Sequence, residues 1–391
     1  MITVADALAA LFALARPPQV EEVPLRAAAG RVLVRTVTAR RTQPPFAASA
    51  MDGYAVTEAD ARPGAVLRVI GTAAAGHGFA GAVTPGEAVR IFTGAPVPAG
   101  ATRVVIQEDV ARDGDRIRLG DRLDTGTNLR PAGADFQAGD PLPAPRRLGA
   151  HDVALLAAMN VAAVPVARRP DVAIIATGDE LVQPGEEPGP DQIIASNSYG
   201  LAALLAQAGA APRLLPIARD TPASLRQAFA LAAGADLIIT IGGASVGEHD
   251  IVAPVAAELG MDRAFYKVAM RPGKPLMAGR LGPSAMVGLP GNPVSALVCG
   301  HIFVLPLVRA MLGLPAAPAP RITLPLAAPV DANGPREHYQ RARRTAQGVA
   351  VFERQDSSLL SILAAADCLV VRPPHDPARA VGAPVEVIAL G

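Results

Sequence analysis

The sequence predicts an α/β multidomain protein. It has a central doubly wound α/β domain, a split N-terminal helical domain with an inserted β-rich subdomain, and a small C-terminal β-domain. Three observations carry that expectation. Between residues 169 and 315, strand-like and helix-like stretches alternate, as they do in a parallel sheet covered on both faces. Residues 1–168 instead carry many short β-like runs and Gly/Pro turns, bracketed by helical periodicity at 3–15 and 149–160. A proline-rich connector at 315–320 then leads into a last region, 316–391, of short β-like runs. A chain of 391 residues is also too long for one ordinary core.

In chain order, the alanine-rich start holds Asp6 and lacks a basic leading segment, so it reads as an amphipathic helix and not as a signal peptide. The N-terminal module divides into helical pieces at about 1–45 and 132–168 and a β-rich subdomain at about 46–131, with runs such as 65–72, 88–93 and 103–108. In the central domain, 171–177 is a buried-strand run that stops at Gly178, and 198–208 is a helix ended by Gly209. A strand at 213–217, a helix at 222–233 closed by Gly234, a strand at 236–241 and a helix at 252–259 continue the alternation. The longest apolar run, 294–308, contains His301 and Pro306 and falls short of a membrane-spanning length. Open sheets of this kind bind ligands beyond the carboxyl ends of their strands, so chemistry is expected in the loops that follow them.

Composition narrows the function. The 36 basic and 35 acidic side chains nearly cancel, which argues against a nucleic-acid surface and leaves any anion to be held by a few placed cations and amides. Cys299 and Cys368 each sit in an apolar run and read as small core residues, with no disulfide framework or metal-ligand spacing. A cytoplasmic protein without a membrane segment is expected.

Four loops could hold an anion and a cation. In Gly242-Gly243-Ala244-Ser245-Val246-Gly247 a strand breaks into glycines and a serine before a helix. Their amides can approach a phosphate closely, although the same residues also make a tight strand-to-helix turn. Asp250 follows, and an acid beside a phosphate loop suits Mg²⁺, which prefers oxygen ligands. Thr177-Gly178-Asp179-Glu180-Leu181 ends another strand with two carboxylates, and Asp220 holds the equivalent place in the next unit. Asp220-Thr221-Pro222 also reads as an ordinary helix start. Arg271-Pro272-Gly273-Lys274-Pro275 places two cations on a stiff turn, a setting for an oxyanion. Gly288-Leu289-Pro290-Gly291-Asn292-Pro293-Val294-Ser295 opens the long apolar helix, with Asn292 a good N-cap.

These strings resemble, in order, the motifs of the molybdopterin molybdenumtransferase family. Ser49-Ala50-Met51-Asp52-Gly53-Tyr54-Ala55-Val56 is similar to its first signature, followed by Ile91-Phe92-Thr93-Gly94-Ala95-Pro96, Gln107-Glu108-Asp109 and Arg130-Pro131-Ala132-Gly133-Ala134-Asp135. The four loops above continue the series. Each string alone is weak, but so many in family order are hard to obtain by chance.

The resemblance implies an elongated homodimer whose central domain has the molybdopterin-binding fold. It implies insertion of molybdenum from molybdate into adenylyl-molybdopterin, with Mg²⁺ as cofactor and AMP as the second product. Arg271, Lys274, Pro275 and Ser295 would hold molybdate, joined by Arg336 or Arg341 and by Ser357 from the last domain. Asp179, Glu180, Asp220 and Asp250 would serve Mg²⁺ and the pterin or pyrophosphate, with Glu180, Asp220 and Asp250 as metal ligands. Gly242, Gly243, Ser245, Gly247, Gly291 and Asn292 would line the pterin site, and Asp52 and Thr93 would arrive from the partner subunit. The molybdopterin adenylyltransferase is a further partner the family suggests. Two departures stand out: Arg103 where many members carry an acid, and Arg271 where lysine is usual. A tungstate-inserting variant and a gephyrin-like scaffold are the alternatives, and an adenylyltransferase is disfavoured because it resembles the central domain alone.

Overall fold

The computed structural model describes residues 1–243 and 251–390. The chain forms two compact units, one of Met1–Glu21 with Ala167–Gly391 and one of Glu22–Val166.

In the first unit, a six-stranded sheet runs Ala211–Leu214, Asp171–Ala176, Leu237–Ile241, Ser284–Leu289, Met277–Leu281, Met261–Tyr266. The first four strands are parallel; the last two extend the sheet antiparallel. The central strands are buried on both faces, which explains their near-continuous apolar sequences. Helices Asn197–Ala208, Pro222–Leu231 and Val252–Glu258 alternate with the strands as expected. Gly209 ends the first of them in the left-handed conformation, φ 101°, a C-cap that glycine adopts without steric cost. The antiparallel edge was not foreseen, because its short runs lack the helix that would have marked a crossover. The strand expected at 213–217 lies two residues earlier, at Ala211–Leu214.

The long apolar stretch is one helical rod: Pro293–Cys299, a π-turn at Gly300–Val304, then Leu305–Met311. By length and composition it could cross a membrane, yet 72% of its apolar window is buried within the protein, which is the behaviour of a core helix. Cys299 and Cys368 are free and buried, as their apolar contexts indicated. The first helix, Val4–Phe12, is capped by Thr3 and Asp6 and belongs to this unit, where Ile2 bridges Val268. The C-terminal β-domain is a sheet ordered Met270–Arg271, Glu337–Thr345, Cys368–Arg372, Pro384–Ala389, Ile322–Pro325. The cationic turn thus contributes one of its strands.

In the second unit, six strands alternate their side chains between two apolar layers. Tyr54, Val56 and Val105 face one layer, and Ala55, Val89 and Val104 face the other. A smaller four-stranded sheet joins the two flanks of this insert, Val20–Pro24 and Val32–Leu33 with Arg146–Arg147 and Ala163–Ala167. The helix Ala150–Ala158 accompanies it.

Candidate active site

The loops after the parallel strands meet at one cleft of about 650 Å³. At its floor, Thr177 N–H donates to Ile241 O at 2.9 Å and Gly178 N–H to Ala218 O at 3.1 Å, tying three strand ends together. Gly242 has φ 95°, and a Cβ there would lie 2.6 Å from Thr177 O, so only glycine fits that crossing. Its N–H is spent on Leu289 O at 3.1 Å. The Gly242 N–H is thus occupied within the fold, so close packing accounts for this glycine. Gly242 and Gly243 line the cleft with Glu180, Asp220, Pro275 and Gly291. Ser245, Gly247 and Asp250 lie outside the described residues.

The two carboxylate loops lie against each other. Asp220 N–H donates to Asp179 Oδ1 at 3.2 Å and Arg219 Nη1 to Asp179 O at 3.0 Å. The helix start is capped by Thr221, whose side chain accepts from Ser224 N–H. Capping therefore does not use the Asp220 side chain. Glu180 is exposed and folds over Gly178. Among the described residues no group of three His, Cys, Asp or Glu side chains could enclose a metal. Glu180 and Asp220 on one cleft nevertheless fit Mg²⁺, which uses one or two carboxylates and takes its remaining ligands from substrate phosphates and water.

Asn292 occupies the N-cap position, but its side chain makes no capping bond. Instead Nδ2 donates to Ser357 Oγ at 3.2 Å, while Val294 N–H donates to Ser357 O at 3.1 Å. The C-terminal domain thereby reaches the cleft, where Ser358 is a lining residue. Arg341 supports this loop from beneath. It is 1% exposed, and its guanidinium donates to Asp356 O at 2.8 Å and to Gln355 Oε1 at 3.2 Å. Of the two arginines offered for the oxyanion, Arg341 is thus occupied within the fold. Arg336 sits by the cationic turn, with Nη1 3.4 Å from Met270 O. Ser295 is 3% exposed in the first turn of its helix and does not line the cleft.

Arg271 and Lys274 are exposed on the turn. The turn is seated by Gly273, where a Cβ would lie 2.4 Å from Cys299 Sγ. Arg271 pairs in register with His338, which pairs in turn with Arg372. Burial, with Arg271, Arg372, Arg341 and Arg336 nearby, pushes His338 down to about 4, so the imidazole is neutral and leaves the positive field to the arginines. Sequence reasoning passed over His338, and also Ser196, Asn197 and Ser198, which line the cleft. Asn197 Nδ2 donates to Gly291 O at 2.6 Å. The Ser-Asn-Ser cluster at a helix start was the available signal.

In the second unit, Thr93 N–H and Oγ1 donate to Asp52 Oδ1 at 2.7 and 2.8 Å. These bonds hold the Asp52 carboxyl below its ordinary range. Arg90 fixes the same loop, stacked 4.7 Å from the Phe92 centroid and 5.1 Å from that of Tyr54. Arg103, the departure noted above, pairs with Glu58 at 3.0 Å.

A doubly wound sheet with glycine loops and carboxylates at its carboxyl edge, joined to a small β-domain, defines the class: an α/β protein with a ligand cleft beyond its strand ends. Residues 173–310 match the "Probable molybdopterin binding domain" model, 2–160 the "MoeA N-terminal region (domain I and II)" and 323–390 the "MoeA C-terminal region (domain IV)". A molybdopterin molybdenumtransferase of Nostoc sp. is 42% identical over 304 residues, covering 75% of this chain and 70% of that one. One from Synechococcus elongatus is 33% identical over 391 residues, covering 96% and 95%. A molybdopterin biosynthesis MoeA protein from Pyrococcus horikoshii superposes with TM-score 0.87 at 26% identity, over 100% of both chains. The chain belongs to the molybdopterin molybdenumtransferase family, a transferase family of molybdenum-cofactor biosynthesis.

Proposed function

We propose that the chain inserts molybdenum from molybdate into adenylyl-molybdopterin, releasing AMP and giving molybdenum cofactor. One observation supports this most strongly: Glu180, Asp220, the strand-end glycines and Pro275 of the cationic turn line a single cleft, to which the Ser357–Ser358 loop is tied. A pyrophosphate-linked pterin needs a place for its phosphates near a cation, and a tetrahedral dianion needs charge-assisted donors. Glu180 and Asp220 give the cleft a place for a cation, and the turn that carries Arg271 and Lys274 meets it at Pro275, although neither of those two cations lines the cleft itself.

In this reading Glu180 and Asp220, with Asp250, would hold Mg²⁺, whose chemistry there would be to supply positive charge beside the phosphates. Asp179 positions Asp220 through the latter's N–H. Gly243, Gly291 and Asn292 admit the ligand closely because two of them carry no side chain. Lys274, Arg271, Arg336 and Ser357 receive molybdate, with Arg341 positioning Ser357 through Asp356. The chain acts as a cytoplasmic homodimer in which Asp52 and Thr93 complete the partner's site. Incubating purified protein with adenylyl-molybdopterin, Mg²⁺ and molybdate should yield AMP and cofactor together. Absence of both from a folded sample removes the proposal.

A further inference from the structure

In the second unit, one guanidinium reaches the backbone on both sides of Asp52. Arg90 lies opposite Tyr54, on the strand that pairs with Gly53–Val56. Its Nη1 donates to Gly53 O at 3.0 Å and its Nη2 to Gln107 Oε1 at 2.5 Å. Gln107 in turn donates its own N–H to Asp52 O at 3.0 Å. The carbonyls of Gly53 and Asp52 are thus both fixed, the first directly and the second through Gln107. The same guanidinium stands over the rings of Tyr54 and Phe92. Gly53 tightens the arrangement from its other side, where a Cβ would overlap Val105 O.

The carboxylate carried by this scaffold is used at one oxygen only. Thr93, three residues after Arg90, donates to Asp52 Oδ1 from both N–H and Oγ1. Asp52 Oδ2 has no partner among the described residues. Two donors on one oxygen hold the side chain in a single orientation, so the other oxygen presents in a set direction.

We propose that Arg90 is a positioning residue for Asp52: it sets the backbone around the carboxylate, keeps Oδ1 on Thr93, and leaves Oδ2 aimed to accept a hydrogen bond from the bound substrate. The inference rests on the reading that Asp52 serves the transfer reaction. A lysine at this place keeps the charge but offers neither the two-pronged donor nor the planar face against Tyr54 and Phe92. The role therefore needs the guanidinium itself.

Amide hydrogen exchange and kinetics on the full chain test it together. In Arg90→Lys the Thr93 amide should exchange about tenfold faster, while that of Leu119, bonded to Ala65 O in the same unit, exchanges as before. With adenylyl-molybdopterin, Mg²⁺ and molybdate, kcat per folded molecule should fall about tenfold while KM for molybdate stays within about twofold, a split that loss of folded protein does not produce. Gln107→Ala removes one acceptor but keeps the backbone N–H. It should speed Thr93 exchange about threefold and add nothing in the Arg90→Lys background. Unchanged Thr93 exchange overturns the proposal, as does equal acceleration of Thr93 and Leu119. Full kcat in an Arg90→Lys chain whose Thr93 amide is loosened also overturns it and leaves the proposed reaction standing. A wild-type chain that forms neither AMP nor cofactor removes the reaction instead, and the exchange rates then decide the positioning role. Should Arg90→Lys fail to fold, unchanged Thr93 exchange in Gln107→Ala overturns it equally.

Discussion

The crossing of Gly242 over Thr177 sets how closely two strand-end loops approach, and replacing it by alanine probes that directly. Gly242 has φ 95°, and an added Cβ would sit 2.6 Å from Thr177 O and 2.9 Å from Thr177 Oγ1. A left-handed backbone costs a non-glycine residue roughly 1–2 kcal/mol. Forcing two backbones apart brings the total to about 3–4 kcal/mol. Gly234 is the internal control: its φ is 83°, with nothing within 4 Å of an added Cβ. Gly234→Ala should cost only about 1 kcal/mol. Urea denaturation of the two variants side by side reads the difference, and calorimetry with adenylyl-molybdopterin should show weakened binding only in Gly242→Ala. Equal destabilisation would refute the view that the glycine is required by the approach to Thr177.

Four more outcomes are expected. Lys274→Ala should weaken molybdate binding by roughly one to two orders of magnitude by calorimetry, the loss of one charge-assisted bond, and leave pterin affinity nearly unchanged. Arg341→Met, by contrast, should destabilise the fold by about 2–4 kcal/mol, since it strands the carbonyls of the 355–359 loop, and thermal unfolding will show it. Mixing Asp52→Ala with Asp250→Ala subunits should restore activity if sites are shared across a homodimer; no recovery after confirmed exchange contradicts the sharing. His301 and His338 are both pushed by burial from 6.5 to about 4. Their folded-state pKa lies below the unfolded one, so the unfolded chain binds more protons, and stability falls as pH drops from about 6.5 towards 4. Each should contribute about 1–3 kcal/mol of that loss. Substituting His338 by Gln should flatten a plot of denaturation midpoint against pH, and an unchanged slope would refute its buried neutrality.

Much of the fold was legible because the central strands are buried on both faces and separated by helices closed at glycines such as Gly209. Periodicity then identifies each element. The antiparallel strands Met261–Tyr266 and Met277–Leu281 were missed because short runs carry no such period. The acids of the two cleft loops were legible from their position after strands, and Thr221, not Asp220, proved to be the cap. Other roles needed coordinates. Nothing in a sequence says that Arg341 is buried while Arg336, five residues earlier, lies beside the cationic turn. Asn292 likewise satisfied the rule for an N-cap, yet its side chain bonds Ser357 in another domain.

The central claim is that pterin adenylate and molybdate react in one cleft, so that metal insertion and nucleotide release are a single event. A single-turnover measurement of AMP released and molybdenum incorporated, made with and without molybdate, tests it most directly. Equimolar amounts of both are expected when molybdate is present, with both lost in Asp220→Asn. Molybdenum incorporation without AMP, or full AMP release in the absence of molybdate, would contradict it.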